Sequence, residues 1–403
     1  MRLLFITAES CPTFRPDVTV LFGKYLPRLG VESDVVAERE ADRSAADAWG
    51  GGRALLCSGE GARALQHIRK LAHNLWQLIK FHPSHYDAVQ VRDLPVTAAF
   101  GLLLARLKGR QFFYWMSFPI PEAHVHRAHA RGPKAGLRYW FPLLQGYLGK
   151  WLLYRFVLFR ADHVFVQTQT MLDNLVSRGV AAHRMTPVPM GVDVEAARPE
   201  AISVIGDPLL ADKRVLVYLG TLDRARQIDV LFEMLAIVEK SIPNIHLVLV
   251  GDTEDPQYRV WLKQRAEETG VSGRVSWTGW LPTAQGWKYV RRAEVGLSPI
   301  PRGPLLDVGS PTKAIEYLAL GVPVVGNDNP DQAWVLQESG AGRCVPYTPE
   351  DFASAVLELL NLHPDERAVI ADGGKRFVRE HRDYAALARM VAARYQNLLG
   401  NKK

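Results

Sequence analysis

The stretch DVGSPTKAIEYLALGVPVV, residues 307 to 325, gathers groups suited to holding an anion. Ser310 followed by Pro311 predicts a helix start, because serine accepts free amide hydrogens and proline presets φ at the first helical position. Ile315, Leu318 and Ala319 fall at helical spacing and predict the buried face. Gly321 supplies a left-handed stop, and Pro323 with Val324 and Val325 predicts a following strand. Lys313 then sits in the first turn, where the positive end of the helix dipole disfavours a cation. An anion on that helix end, most naturally a phosphate, removes the conflict, with Ser310, Thr312 and the first amides facing it. The plainer reading pairs Lys313 with Glu316 one turn on, worth roughly a few tenths of a kcal/mol. The two readings are compatible.

The elements needed to position such a site recur along the chain. In the first half, LLFIT (3 to 7), DVVAE (34 to 38), AVQVR (88 to 92), FFYWMS (112 to 117) and HVFVQT (163 to 168) read as strands separated by helical stretches. That alternation predicts an α/β fold with a parallel sheet covered on both faces. PVPMGVD (187 to 193) reads as a loop, and the pattern then restarts. VLVYLG (215 to 220), HLVLVG (246 to 251), RVSWTG (274 to 279), VGLSPI (295 to 300) and VPVVGN (322 to 327) are strands, with helices over 228 to 240, 257 to 269 and 283 to 292. Segment 377 to 400 is helical in pattern. The division expected is 1–195, 196–380 and a C-terminal helix, 381–403, packing back on the first domain: two doubly wound domains facing each other across a cleft.

Length and composition set the outer limits. The chain has 403 residues, 48% hydrophobic and 23% charged, as in soluble globular proteins. A net charge of +7 points to an anionic partner: nucleotide phosphates, an anionic membrane or nucleic acid. Cys11, Cys57 and Cys344 are too few and scattered for a disulfide framework or zinc site, which suggests a reducing compartment. The opening MRLLFITAES is too short an apolar run for a signal peptide, and no segment reaches the length of a transmembrane helix.

The second half resembles the C-terminal domain of family 4 glycosyltransferases, which have the two-Rossmann GT-B fold. The carriers are VLVYLGTLDRAR, HLVLVGDTED, RVSWTGWLP, SPTKAIEYLALGVPVVGND and ESGAGRCV, in the family's order. In the first half the likeness rests on RADHVFVQTQTMLDNLVSRGV and PVPMGVD. The likeness is greatest to bacterial members that build exopolysaccharide or other lipid-linked glycans. It implies that Gly220, Arg224 and Arg226 hold a donor diphosphate; the alternative is two solvated arginines. Glu316 matches the second glutamate of the family's pair, which contacts the ribose hydroxyls. The first should fall at 308, which is Val308; Asp307 beside it, or the amides around Gly309 and Ser310, are the substitutes. Asp252 and Trp280 lie on loops that in the family approach the nucleotide base.

For the acceptor, the glycine-rich loop usual after the first strand is replaced by TAESCPTFRPDV, offering Glu9, Arg15 and Asp17. After FFYWMS, Ser117 falls where the family often has an active-site histidine, so Glu122 and His124 are catalytic candidates by vicinity. The plainer reading places His124, His126 and His129 on a solvated helix face. KAGLRYWFPLLQGYLGKWLLYRFVLFR, 134 to 160, mixes aromatics with cations, as in a helix lying in an anionic membrane interface. Its alternative is a crossover helix buried against the first sheet.

The resemblance therefore implies a retaining transfer from a nucleoside-diphosphate sugar to a lipid-linked or glycan acceptor. No cofactor or metal is expected, nor any nucleic acid, and the expected location is the cytoplasmic face of a membrane. A sugar-nucleotide epimerase and a membrane- or polyanion-binding scaffold of GT-B type are the alternatives. No G-x-G-x-x-G follows a strand, and GSPTK lacks P-loop spacing.

Overall fold

Strands apolar on both faces require helices on both sides, and the chain folds accordingly. The structure, a computed structural model, describes residues 1–39 and 49–400. These form two units, Met1–Met190 with Tyr384–Lys403, and Gly191–Asp383.

The first unit holds β1 (Arg2–Cys11), β2 (Glu32–Arg39), β3 (Ala54–Cys57), β4 (Ala88–Arg92), β5 (Gln111–Met116), β6 (His163–Val166) and β7 (Met185–Pro187). They pair in parallel in the order β3-β2-β1-β4-β5-β6-β7. Helix α1 (Arg63–Lys80) joins β3 to β4 and α2 (Pro95–Leu107) joins β4 to β5. Helices α3 (Ile120–Arg131) and α4 (Leu137–Trp151) lie between β5 and β6, and α5 (Gln169–Val176) between β6 and β7. From β3 to β6 the chain crosses the sheet in one direction, so right-handed connections put α1 to α4 on one face. The opposite face packs a π-helical segment, Asp17–Tyr25, and the C-terminal helix, Tyr384–Gly400. Tyr384, Leu387, Val391 and Tyr395 enter one core with Phe5, Phe113, Trp115 and Phe165. The Tyr395 hydroxyl donates to Gln90, and Gln111 donates to the Leu398 carbonyl at 2.7 Å.

The second unit holds β8 (Arg214–Leu219), β9 (Ile245–Val250), β10 (Val275–Trp277), β11 (Val295–Ser298), β12 (Val324–Asn327) and β13 (Gly342–Val345). Their parallel order is β10-β9-β8-β11-β12-β13. Its helices are α6 (Val230–Val238), α7 (Pro256–Glu268), α8 (Thr283–Arg292), α9 (Thr312–Ala319), α10 (Pro330–Ser339), α11 (Pro349–Leu360) and α12 (Pro364–His381). Strand order reverses between β8 and β11, which opens a crevice beyond their carboxyl ends.

The strands expected from sequence are present, within a residue or two at their ends except for longer offsets such as β1. Three short ones, β3, β7 and β13, are additional to that expectation; β7 ends at Pro187, inside the stretch expected to be loop. The expected continuous helix over 377 to 400 is instead broken. Arg382 and Asp383 leave the helix to pair with Val192, whose amide donates to the Arg382 carbonyl at 2.8 Å.

Candidate donor site at the strand-order reversal

Helix α9 follows β11 and brings its first turn to the reversal between β8 and β11. It is anchored there by Tyr317, whose hydroxyl accepts from the Leu219 amide (2.7 Å) at the end of β8 and donates to the Leu297 carbonyl (3.3 Å) of β11. Lys313 is thereby laid over the Tyr218 ring, its Nζ 5.1 Å from the centroid. A Cβ on Gly220 would stand 3.0 Å from the Lys313 Cε, so the missing side chain lets the lysine lie against the backbone. Loss of hydration around the ammonium, then the positive Arg226 nearby, push the Lys313 pKa down to about 7, against a smaller pull from Glu316. The residue as a whole remains partly exposed. Such a cation lacks a full counter-charge, which an incoming anion would supply.

Glu316 faces the same space from the next turn. Its Oε2 accepts from the Trp287 indole at 2.9 Å, and the Thr312 hydroxyl also donates to the carboxylate. Burial raises its pKa; those two bonds and Lys313 oppose the rise. Nothing local in the sequence points to Trp287, on α8, because its partner lies 29 positions later.

The loop after β8 separates the two arginines. Arg224 is exposed, 3.2 Å from Asp255 and with its guanidinium 4.7 Å above the Tyr258 ring. Arg226 is half-buried and acts on Lys313. The Tyr347 hydroxyl fixes this turn by donating to the carbonyls of Arg226 (3.0 Å) and Gln227 (2.8 Å). Asp252, after β9, is occupied: its Oδ1 accepts from Arg259 and from the Thr253 amide, both at 2.8 Å. Trp280 is exposed on its loop. The strand ends approach so closely that a Cβ on Gly251 would meet the Gly220 carbonyl oxygen at 2.2 Å, and Gly251 holds φ +139°. Gly251→Ala is expected to cost about 2 kcal/mol or more in urea denaturation and to disturb the Gly220 turn.

Two expectations are corrected. Ser310 does not cap the helix: Pro311 occupies the cap position and no side chain caps it. The Ser310 hydroxyl instead donates to Asp331 (2.7 Å) and accepts from Arg382 (3.2 Å), which itself pairs with Asp331 at 2.8 Å. Charge-assisted bonds to the buried Arg382–Asp331 pair outweigh a neutral bond to a helix-start amide. Asp307 is not an open carboxylate: it holds Arg302 through both oxygens, at 2.9 and 3.2 Å, while Val308 is buried.

Two family profiles match this chain, "Glycosyltransferase Family 4" over residues 18–196 and "Glycosyl transferases group 1" over 213–362. The chain is a family 4 glycosyltransferase. Among curated relatives, a phosphatidyl-myo-inositol mannosyltransferase of Mycolicibacterium smegmatis is 25% identical over 216 residues, 53% of this chain and 52% of the relative. The match thus spans about half the length of that relative. Among solved structures, Anabaena Alr3699/HepE in complex with UDP superposes with a TM-score of 0.70, 14% identity and coverage of 98% of this chain and 100% of that one. Sucrose-phosphate synthase of Thermosynechococcus elongatus gives 0.72 at 17% identity, with full coverage of both chains. These likenesses establish the GT-B fold.

In the first unit of this glycosyltransferase, the residues considered for the acceptor gather at the carboxyl ends of β1, β4 and β5. Arg92, buried at 2% exposure, binds Asp17 Oδ2 through two nitrogens (3.1 and 2.8 Å) and Glu9 Oε1 (2.8 Å), and lies 3.3 Å from Asp93. Asp17 is therefore a buried ion-pair partner, not part of an acceptor surface; Arg15 is exposed, 3.5 Å from Glu9. Asp93 adopts φ +58° and accepts from the Ser117 hydroxyl, the Ser117 amide (2.8 Å) and the Phe118 amide (3.3 Å). No sequence pattern marks Arg92 or Asp93 for these roles. Glu122 meets the Tyr154 hydroxyl, leaving its Oε2 buried without a partner. His124 is half-buried rather than solvated like His126 and His129; burial, then Arg127, push its pKa down to about 4, so it is neutral at pH 7.

Proposed function

We propose that this glycosyltransferase takes a sugar from a nucleoside-diphosphate donor held in the second unit and transfers it, with retention, to a lipid-linked or glycan acceptor. The observation that carries the reading is the under-compensated ammonium of Lys313, set beside Arg226 at the first turn of α9. A diphosphate there would meet two cations and the free amides of the helix start. As the bond from the anomeric carbon to the leaving phosphate oxygen breaks, these groups stabilise the charge on the diphosphate. The acceptor oxygen bonds to the anomeric carbon from the same face, and its proton passes to the departing phosphate. Glu316, with one oxygen on Trp287, is suited to accept from the ribose hydroxyls. The solved Anabaena HepE complexes with UDP and with UDP-glucose, and the mannosyltransferase relative, support a nucleotide-sugar donor.

The acceptor side of the reading includes an anionic membrane surface met through 134 to 160. That segment forms α4 and a π-helical continuation, Leu152–Val157. Leu153, Val157 and Leu158 are buried, whereas Trp140, Phe141, Leu144 and Trp151 are exposed. No helix among the described residues is long and apolar enough to cross a membrane.

Thermal unfolding with UDP, GDP, ADP and CMP tests the donor site. At a concentration about one hundred times the dissociation constant, the matching nucleotide should add about 2.7 kcal/mol of stability. A rise with one diphosphate identifies the donor's nucleotide; no rise with any removes the basis of the reading.

A further inference from the structure

Helix α1 is turned with its apolar stripe outward. Leu65, Ile68, Trp76 and Ile79 are 58%, 67%, 53% and 63% exposed, and they share one side of the helix with Ala72. The polar residues turn to the chain's own backbone instead. Gln66 donates to the carbonyls of Gly59 (2.7 Å) and Gly61 (2.9 Å), and Arg69 to those of Ser58 (3.0 Å) and Glu60 (2.9 Å). His73 bonds the Leu55 carbonyl at 3.1 Å, and Lys70 reaches the Ala8 carbonyl. An amphipathic helix on a sheet ordinarily buries its apolar stripe. Here Leu78 is buried and Leu75 half-buried, but hydrogen bonds hold the rest of the stripe outward, and several large apolar side chains are left in water.

The stripe is not isolated. Phe100, Leu103 and Leu107 of α2 are exposed on the same face of the sheet, beside the exposed aromatics of α4. Residues 63–80, 95–110 and 123–161 contain no Asp or Glu. Lys80 stands with its Nζ 4.4 Å from the Trp76 ring, and Arg127, Lys134, Arg138 and Arg155 are exposed along 123–161. A second copy of the chain is a poor occupant, since a two-fold contact would set this acid-free cationic face against itself. Apolar and aromatic side chains fringed by cations suit the interface of an anionic bilayer.

We infer that α1 is a membrane-docking element, its outward stripe entering the headgroup boundary of an anionic lipid surface together with α2 and α4. This extends the membrane contact well beyond 134 to 160, to a helix held in position by its own inward hydrogen bonds. It needs no nucleotide, so it stands or falls apart from the donor site.

The test is co-sedimentation with vesicles of phosphatidylcholine alone and of phosphatidylcholine with phosphatidylglycerol. Three proteins are compared: the wild type, Ile68→Gln/Trp76→Gln/Ile79→Gln, and Trp140→Gln/Leu144→Gln. All five positions are exposed, so melting temperatures should change little. The wild type should favour the anionic vesicles, and the α1 triple variant should lower partitioning by about tenfold or more. Wild-type partitioning by the triple variant, with loss only in the α4 variant, would overturn the inference. So would sedimentation velocity showing a dimer that the triple variant abolishes, since the occupant would then be a second copy.

Discussion

Lys313→Met is expected to abolish the response to nucleoside diphosphate while leaving the ligand-free protein as stable as before, or more so. The reason lies in what the lysine lacks. Its ammonium rests on Tyr218 beside Arg226, and its pKa falls to about 7 from an ordinary value of 10.5. Between those values the unfolded chain binds a proton that the folded chain does not, so wild-type stability should rise with pH from about 7 to 10.5. Below pH 7 both states carry the proton and this contribution to the slope vanishes. Methionine has no such proton, and the slope should fall accordingly. A bound diphosphate favours the charged lysine, so binding takes up a proton and the affinity should weaken as pH climbs past about 7. For catalysis the loss should be about 10²- to 10³-fold in kcat, as when one charge-stabilising group is removed. Thermal unfolding with and without nucleotide, from about pH 6 to about pH 9.5, reads all of this except kcat. A Lys313→Met protein that still answers to nucleotide would sink the assignment.

Arg92→Met should have the largest effect on stability. Its guanidinium is the shared counter-ion of Asp17, Glu9 and Asp93 in a buried pocket. Removing it strands carboxylates that are costly to ionise, and burial already raises the Asp93 pKa. The expected loss is about 3–5 kcal/mol near neutral pH, a large share of an ordinary domain's stability. In the variant, carboxylates with raised pKa bind protons more readily folded than unfolded, so its stability should recover as pH falls. Urea denaturation of both proteins at about pH 7.5 and about pH 5 decides the matter. A deficit that stays the same in acid would mean that packing, not stranded charge, is responsible.

The placement of Lys313 in the first turn of α9 is legible in the sequence because its signal is local: a proline just before the helix and a glycine stop at Gly321 just after it. The alternation of apolar runs and helices likewise reveals both sheets. What the sequence hides depends on distant partners. Trp287 reaches Glu316 from another helix, and Ser310 is drawn from the cap by Arg382, 72 positions on. The Arg92 pocket joins residues 75 and 83 positions apart. The orientation of α1 is likewise not written locally; Gln66, Arg69 and His73 bond carbonyls elsewhere in the first unit.

The C-terminal helix also imposes an order of events on the ribosome. Phe113 and Phe165 are made early, yet Leu387, Val391 and Tyr395, which share their core, emerge only after the whole second unit. Until those side chains arrive, the nascent first unit has one sheet face incompletely covered, a state in which exposed apolar surface favours aggregation or chaperone capture. The half of the enzyme that is translated first therefore cannot complete its core until residues 384–400 have been made.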